Sequence, residues 1–96
     1  MARVLVVSGG GPYADAWHDF AATSSRLAAV IGDLGHRVTV DGDVEAALAR
    51  PQADLLVVNV GDPDPALPAE RTAAAVDGVA GHLAGGGAVR WLLREP

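Results

Sequence analysis

The chain has 96 residues, half of them hydrophobic but only four aromatic, so a single small domain with a core of Val, Leu, Ile and Ala is expected. The formal charge of −5 and pI near 4.8 exclude a nucleic-acid partner, which needs a basic face to displace counterions. The absence of Cys excludes disulfides, thiolate metal sites and a cysteine nucleophile, and no apolar run has the length of a signal peptide or a membrane span. A cytoplasmic protein without a membrane partner is therefore expected.

Taken in order, Val4-Leu5-Val6-Val7 reads as a buried strand within Arg3 to Ser8. Gly9, Gly10 and Gly11 then open a loop that runs to His18. A helix follows over Phe20 to Leu34. Leu27, Val30, Ile31 and Leu34 fall at i, i+3, i+4 and i+7 on one face of it. Asp19 is its expected N-cap and Gly35 its C′ residue. His36 to Val40 is the second strand, with Val38 and Val40 alternating against Arg37 and Thr39. Asp43 caps a short helix, Val44 to Ala49, which Pro51 ends.

The continuous apolar run in Asp54 to Val60 suits a parallel strand covered on both faces. Gly61 to Pro68 is a loop with three prolines. The last helix spans Ala69 to Ala84. Val76, Val79 and Leu83 form its apolar face, and Gly78 and Gly81 weaken it by about 1 kcal/mol each relative to Ala. Ala88 to Leu93 is a fourth strand. The order β-α-β-α-β-α-β, with right-handed crossovers, gives an α/β fold of the flavodoxin-like three-layer type with about four parallel strands.

In such a sheet, ligands bind outside the carboxyl ends of the strands, which directs attention to Gly9 through His18. Gly9, Gly11 and Ala14 fit the dinucleotide pattern G-x-G-x-x-G/A, with Asp41 at the end of the second strand. Pro12 has no N–H for a phosphate, and the helix starts too late to meet one. A tight turn bordering a site is the better reading, and a Rossmann-type nucleotide module is the alternative. His18 reads equally as a general base or ligand-binding group and as a solvated residue. Asp19 reads as its orienting partner or as a helix cap alone. Asn59, at the end of the third strand, either bonds a loop or faces the site beside the glycines. His36 and His82 read as structural and surface residues. Asp62 and Asp64, stiffened by prolines and without a further ligand, do not make a metal site. No cofactor is indicated.

The succession VLVVSGGGPYADAWHDF, ATSSRLAAVIGDLGHRVTV, ADLLVVNVGD and GHLAGGGAV, from Arg3 to about Val89, resembles the amino-terminal part of the ThuA (trehalose utilisation) family. That family belongs to the class I glutamine amidotransferase-like group of flavodoxin-like folds. The resemblance implies a role in carbohydrate metabolism, of trehalose or a related disaccharide. It implies a sugar-like ligand held by Gly9, Gly10, Gly11, His18, Asp19 and Asn59, with His18 as the candidate catalytic group. The family's strand ending G-[IL]-H is not matched: Gly87 leads to Ala88-Val89-Arg90, and with no Cys glutamine hydrolysis is not expected. The family domain continues further, so the chain reads as an incomplete domain, and a remnant that only self-associates is a further alternative. Trp91, Leu92 and Leu93 on an uncovered edge strand predict a homodimer through that edge.

Overall fold

The structure is a computed structural model that describes residues 1–15, 17–61 and 67–92. Four parallel strands form one sheet: β1 (Arg3–Ser8), β2 (Arg37–Asp41), β3 (Leu55–Asn59) and β4 (Ala88–Trp91), in the spatial order β2-β1-β3-β4. Helix α1 (Phe20–Asp33) covers one face; α2 (Val44–Ala49) and α3 (Ala69–Ala84) cover the other. This is the expected flavodoxin-like three-layer α/β arrangement. The three crossover helices are what make parallel pairing sterically available.

Alternation along the central strands divides the core in two. Val4, Val6 and Val57 point to α1, where Leu27 and Ile31 meet them. Val7, Leu56 and Val58 point to α2 and α3, where Val44, Ala47, Leu48 and Ala75 complete the packing. Val6, Val7, Leu56 and Val58 are almost wholly removed from solvent. Each contributes about 1.5–3 kcal/mol of burial. The apolar run in β3 is therefore covered on both faces, as its composition requires.

The helix ends are built by the residues expected. The Asp19 carboxylate accepts the Ala22 N–H at 3.0 Å, and that of Asp43 accepts the Ala46 N–H at 3.4 Å. After α1, Gly35 takes a φ of 94°. Its N–H donates to Gly32 and that of His36 to Ile31, the pair of bonds that defines a Schellman stop.

Several details differ from the sequence reading. Helix α1 closes at Asp33, and its buried face is Phe20, Ser24, Leu27 and Ile31; Val30 and Leu34 are exposed. Val30 lies off the stripe, and Leu34 has passed the helix end. Strand β2 runs one residue later at both ends, Arg37–Asp41; the His36 N–H donates to the Ile31 carbonyl in the α1 stop, and its ring accepts the Ala2 N–H at 3.0 Å. Strand β3 loses Asp54 and Val60 from its ends. Strand β4 closes at Trp91, and Leu93 lies outside the described residues.

The correction to α3 is larger. Its inward side is Thr72, Ala75, Gly78, Val79 and His82, while Val76 and Leu83 are 64% and 53% exposed. Gly78 sets this rotation. A Cβ there would strike the carbonyl oxygens of Leu48 and Ala49, so only glycine lets α3 lie this close to α2. His82, half-buried at the surface, also acts as a clip: its Nε2 meets the Ala88 carbonyl at 2.9 Å, and Gly87 packs under the ring. No helix among the described residues is long and apolar enough to cross a membrane.

Candidate functional site

The sheet's connections reverse direction between β1 and β3, and the loops leaving these two strands meet above their carboxyl ends. The Gly9 N–H donates to the Asn59 carbonyl at 2.8 Å, prolonging the ladder by one rung. A side chain on Gly9 would approach Tyr13 O to 2.6 Å and Phe20 Cδ2 to 2.8 Å, so the turn closes only over glycine. Gly11 then takes a φ of 53° and starts a single 3₁₀ turn, Gly11–Tyr13, with Pro12 in its first positions. The N–H groups of Gly10 and Gly11 have no acceptor among the described residues.

Tyr13 ties the loop to its surroundings at both ends. Its carbonyl accepts the Gly61 N–H at 2.7 Å, joining the β1 loop to the β3 loop. Its hydroxyl donates to Glu45 at 3.0 Å, and the other oxygen of Glu45 accepts from Arg71 at 3.0 Å. The ring is buried in the α2–α3 core. Burial raises the phenol above its ordinary range, and the Glu45 hydrogen bond and charge add to this against a smaller opposing effect of Arg71.

Asp15 organises what lies above. Its Oδ1 accepts the backbone N–H groups of Trp17 at 2.9 Å and His18 at 2.8 Å, an Asx turn. Both carboxylate oxygens also reach the His18 ring, with Nδ1 to Oδ2 at 2.7 Å. A carboxylate only accepts, so Nδ1 carries the proton and the neutral ring presents Nε2 as a bare acceptor. Nε2 has no partner among the described residues. The Phe20 ring lies beside the imidazole at 5.7 Å between centroids. Beneath the pair is Gly61, where a Cβ would come within 3.2 Å of Asp15 Oδ2. The His18 hydrogen bond holds the Asp15 carboxyl below its usual range; partial burial opposes this, and the two backbone N–H groups reinforce it. Side-chain exposures of 35% for His18 and 32% for Asp15 leave the pair open to a ligand while fixing its orientation.

The sequence-selected residues separate into two groups. Gly9, Gly10, Gly11 and His18 lie together on the connection that leaves the carboxyl end of β1. Asp19 does not touch the His18 ring; its carboxylate is committed to the α1 cap. Asn59 is fully buried and points beneath α1. Its Nδ2 donates to Thr23 at 2.9 Å and Ser24 at 3.0 Å, Ser24 donates to Ser8 at 2.8 Å, and Ser8 donates to the Phe20 carbonyl at 3.2 Å. This cluster fastens the first turn of α1 to the strand ends.

Sequence reasoning missed Asp15. The signal was present in the Asp-x-x-His spacing, but Asp19 adjoins the histidine and was the only carboxylate weighed as its partner. It also missed Tyr13, Glu45 and Arg71, which are far apart in the chain. Asp62 and Asp64 lie outside the described residues. Among the described residues no cluster of His, Asp or Glu could hold a metal ion.

The nucleotide alternative meets an electrostatic obstacle. Helix α1 begins nine positions after Gly11, and the Asp19 carboxylate occupies the first-turn position where a pyrophosphate would sit. Asp41 is turned to the Asp43 N–H at 2.9 Å. A groove of about 390 Å³ does exist, but elsewhere, between α2 and the polar face of β2, bordered by Arg3, Arg37, Thr39, Asp41 and Arg50. Comparison with protein-family models, with curated proteins and with solved structures found no match.

Proposed function

We propose that the surface at the carboxyl end of β1 binds an uncharged, sugar-like polyhydroxyl molecule, with the His18 Nε2 receiving a ligand hydroxyl. The observation that carries this reading is the Asp15–His18 pair. A carboxylate that fixes Nδ1–H leaves a directed lone pair at Nε2, the arrangement a general base uses toward a hydroxyl. The unpaired N–H groups of Gly10 and Gly11 supply donors for ligand oxygens. The net charge of −5, together with the Asp15 carboxylate beside His18, favours a neutral ligand over an anionic one.

The ThuA-like resemblance supports the same ligand class and gives it a setting, the metabolism of trehalose or a related disaccharide in the cytoplasm. His18 is the proton acceptor in this reading, Asp15 its positioning residue, and Asn59 and Asp19 hold the helix that follows.

Calorimetric titration tests the reading. Trehalose and its keto-disaccharide derivatives are titrated into the wild type, His18→Ala and Asp15→Asn. Saturable binding by the wild type, abolished in His18→Ala and weakened at least tenfold in Asp15→Asn, is expected. Equal binding by all three, or no binding by the wild type, refutes it.

A further inference from the structure

We infer that one flank of the molecule, made by α3 and the free edge of β4, is the contact surface for a second copy of this chain. Around α3, at about 100° per residue, Gly78 faces α2, and Ala75 and Val79 face the sheet. Leu83 and Val76 follow at about 140–160° from Gly78, and Ala69 and Ala80 at about 180–200°. These four residues therefore lie on the side away from α2, above the open edge of β4. All four are apolar and exposed. The nearest acids, Glu70 and Asp77, are turned a further quarter of the way round, toward solvent.

The edge below them is unpaired among the described residues. The N–H groups of Ala88 and Leu92 point to β3, so alternation turns those of Val89 and Trp91, with their carbonyls, outward. Trp91 is paired in register with Val58 and so projects on the α3 face, where it is 51% exposed. Backbone edge, helix flank and indole thus form one continuous surface.

Two-fold pairing of this edge with itself is constrained by Arg90 and by the indole, and we take the register that places the exposed Trp91 on the axis. Placing Val89 opposite Trp91 of the partner copy sets Arg90 directly against Arg90 of that copy, a like-charge pair that antiparallel strands disfavour. Placing Trp91 opposite Trp91 of the partner copy sets Arg90 beside Leu92 instead. It makes the tryptophans a hydrogen-bonded pair about 5.5 Å apart at Cα. The α3 flanks then meet across the axis. A 16-residue helix over a strand gives a face roughly 24 Å by 20 Å, so about 1,000 Å² is buried in total, the size of a weak, concentration-dependent dimer contact.

Sedimentation of the full chain over a hundredfold concentration range, with Val76→Glu and Leu83→Glu beside the wild type, tests the surface. Both positions are exposed, so the variants keep their helical circular dichroism. A dimer in the wild type and monomers in both variants are expected. The register is tested by oxidising single-cysteine variants, because the chain has no other thiol. Trp91→Cys is expected to form a covalent dimer at least tenfold faster than Arg90→Cys, since about 5.5 Å lies within the Cα range of a disulfide. A wild-type monomer at every concentration, dimers indifferent to both glutamates, or equal cross-linking at the two cysteines overturns the inference.

Discussion

The Asp15 carboxylate and the His18 imidazole, three residues apart, meet at 2.7 Å, and the same carboxylate accepts the His18 N–H at 2.8 Å. One side chain thus fixes both the backbone and the ring of the residue it orients. The consequence on the acid side has a definite sign. The folded pKa of Asp15 is depressed, so its contribution to stability is present above the unfolded value of about 3.9 and is lost as pH falls through the folded value. A carboxyl-carbon NMR titration is expected to give Asp15 a midpoint below the ordinary range, and His18→Ala to raise it. An unchanged midpoint in His18→Ala means that the ring does not hold the carboxylate.

Tyr13 titrates in the opposite direction. Its folded pKa is raised, so its stabilisation is present below the unfolded value of about 10 and lost as pH rises through the folded value. It is the chain's one tyrosine, so phenolate absorbance reports it without interference. The titration is expected to shift downward in Glu45→Gln. At neutral pH Tyr13→Phe is expected to cost about 1–2 kcal/mol by urea unfolding, from the lost bond to Glu45.

The two mid-helix glycines of α3 should respond with opposite signs. Gly81 faces open space, so Gly81→Ala is expected to stabilise by up to about 1 kcal/mol. Gly78→Ala gains the same propensity, but its Cβ meets two backbone carbonyls that cannot rotate away. A net loss of about 1–3 kcal/mol is expected from the forced separation of α2 and α3. Equal effects of the two substitutions in urea melts would show that the helices have room to part.

Asn59→Ala removes the donor shared by Thr23 and Ser24 within the cluster under α1. A loss of about 1–3 kcal/mol is expected. Hydrogen exchange should quicken first in the opening turn of α1, where Ser8 and Ser24 fasten the helix. Uniform quickening across the sheet would place the role of Asn59 in the strands instead.

Local patterns carried the fold well. Gly35, Asp19 and Asp43 act within a few residues of themselves, so the helix ends they set were legible in sequence. The apolar runs of β1 and β3 were equally plain, being buried on both faces. The rotation of α3 was not legible. It depends on the approach of Gly78 to α2, and helical periodicity alone favours the larger Val76 and Leu83. At the carboxyl end of β1, the sequence singled out the glycines and His18 and left Asp19 open between orienting the histidine and capping the helix. Asp19 is taken by the cap because an N-cap carboxylate satisfies free backbone donors, which leaves the ring to Asp15 across an Asx turn that spacing alone does not single out.

The most direct measurement is a long-range proton–nitrogen NMR spectrum of the His18 ring, recorded with and without a saturating disaccharide. With Asp15 holding Nδ1–H, the neutral ring should be the Nδ1-protonated tautomer. Ligand should shift the Nε2 resonance, and Asp15→Asn should abolish the tautomer preference. A ring protonated at Nε2, or an Nε2 resonance indifferent to the disaccharide, contradicts a site in which His18 presents a free acceptor to a sugar hydroxyl.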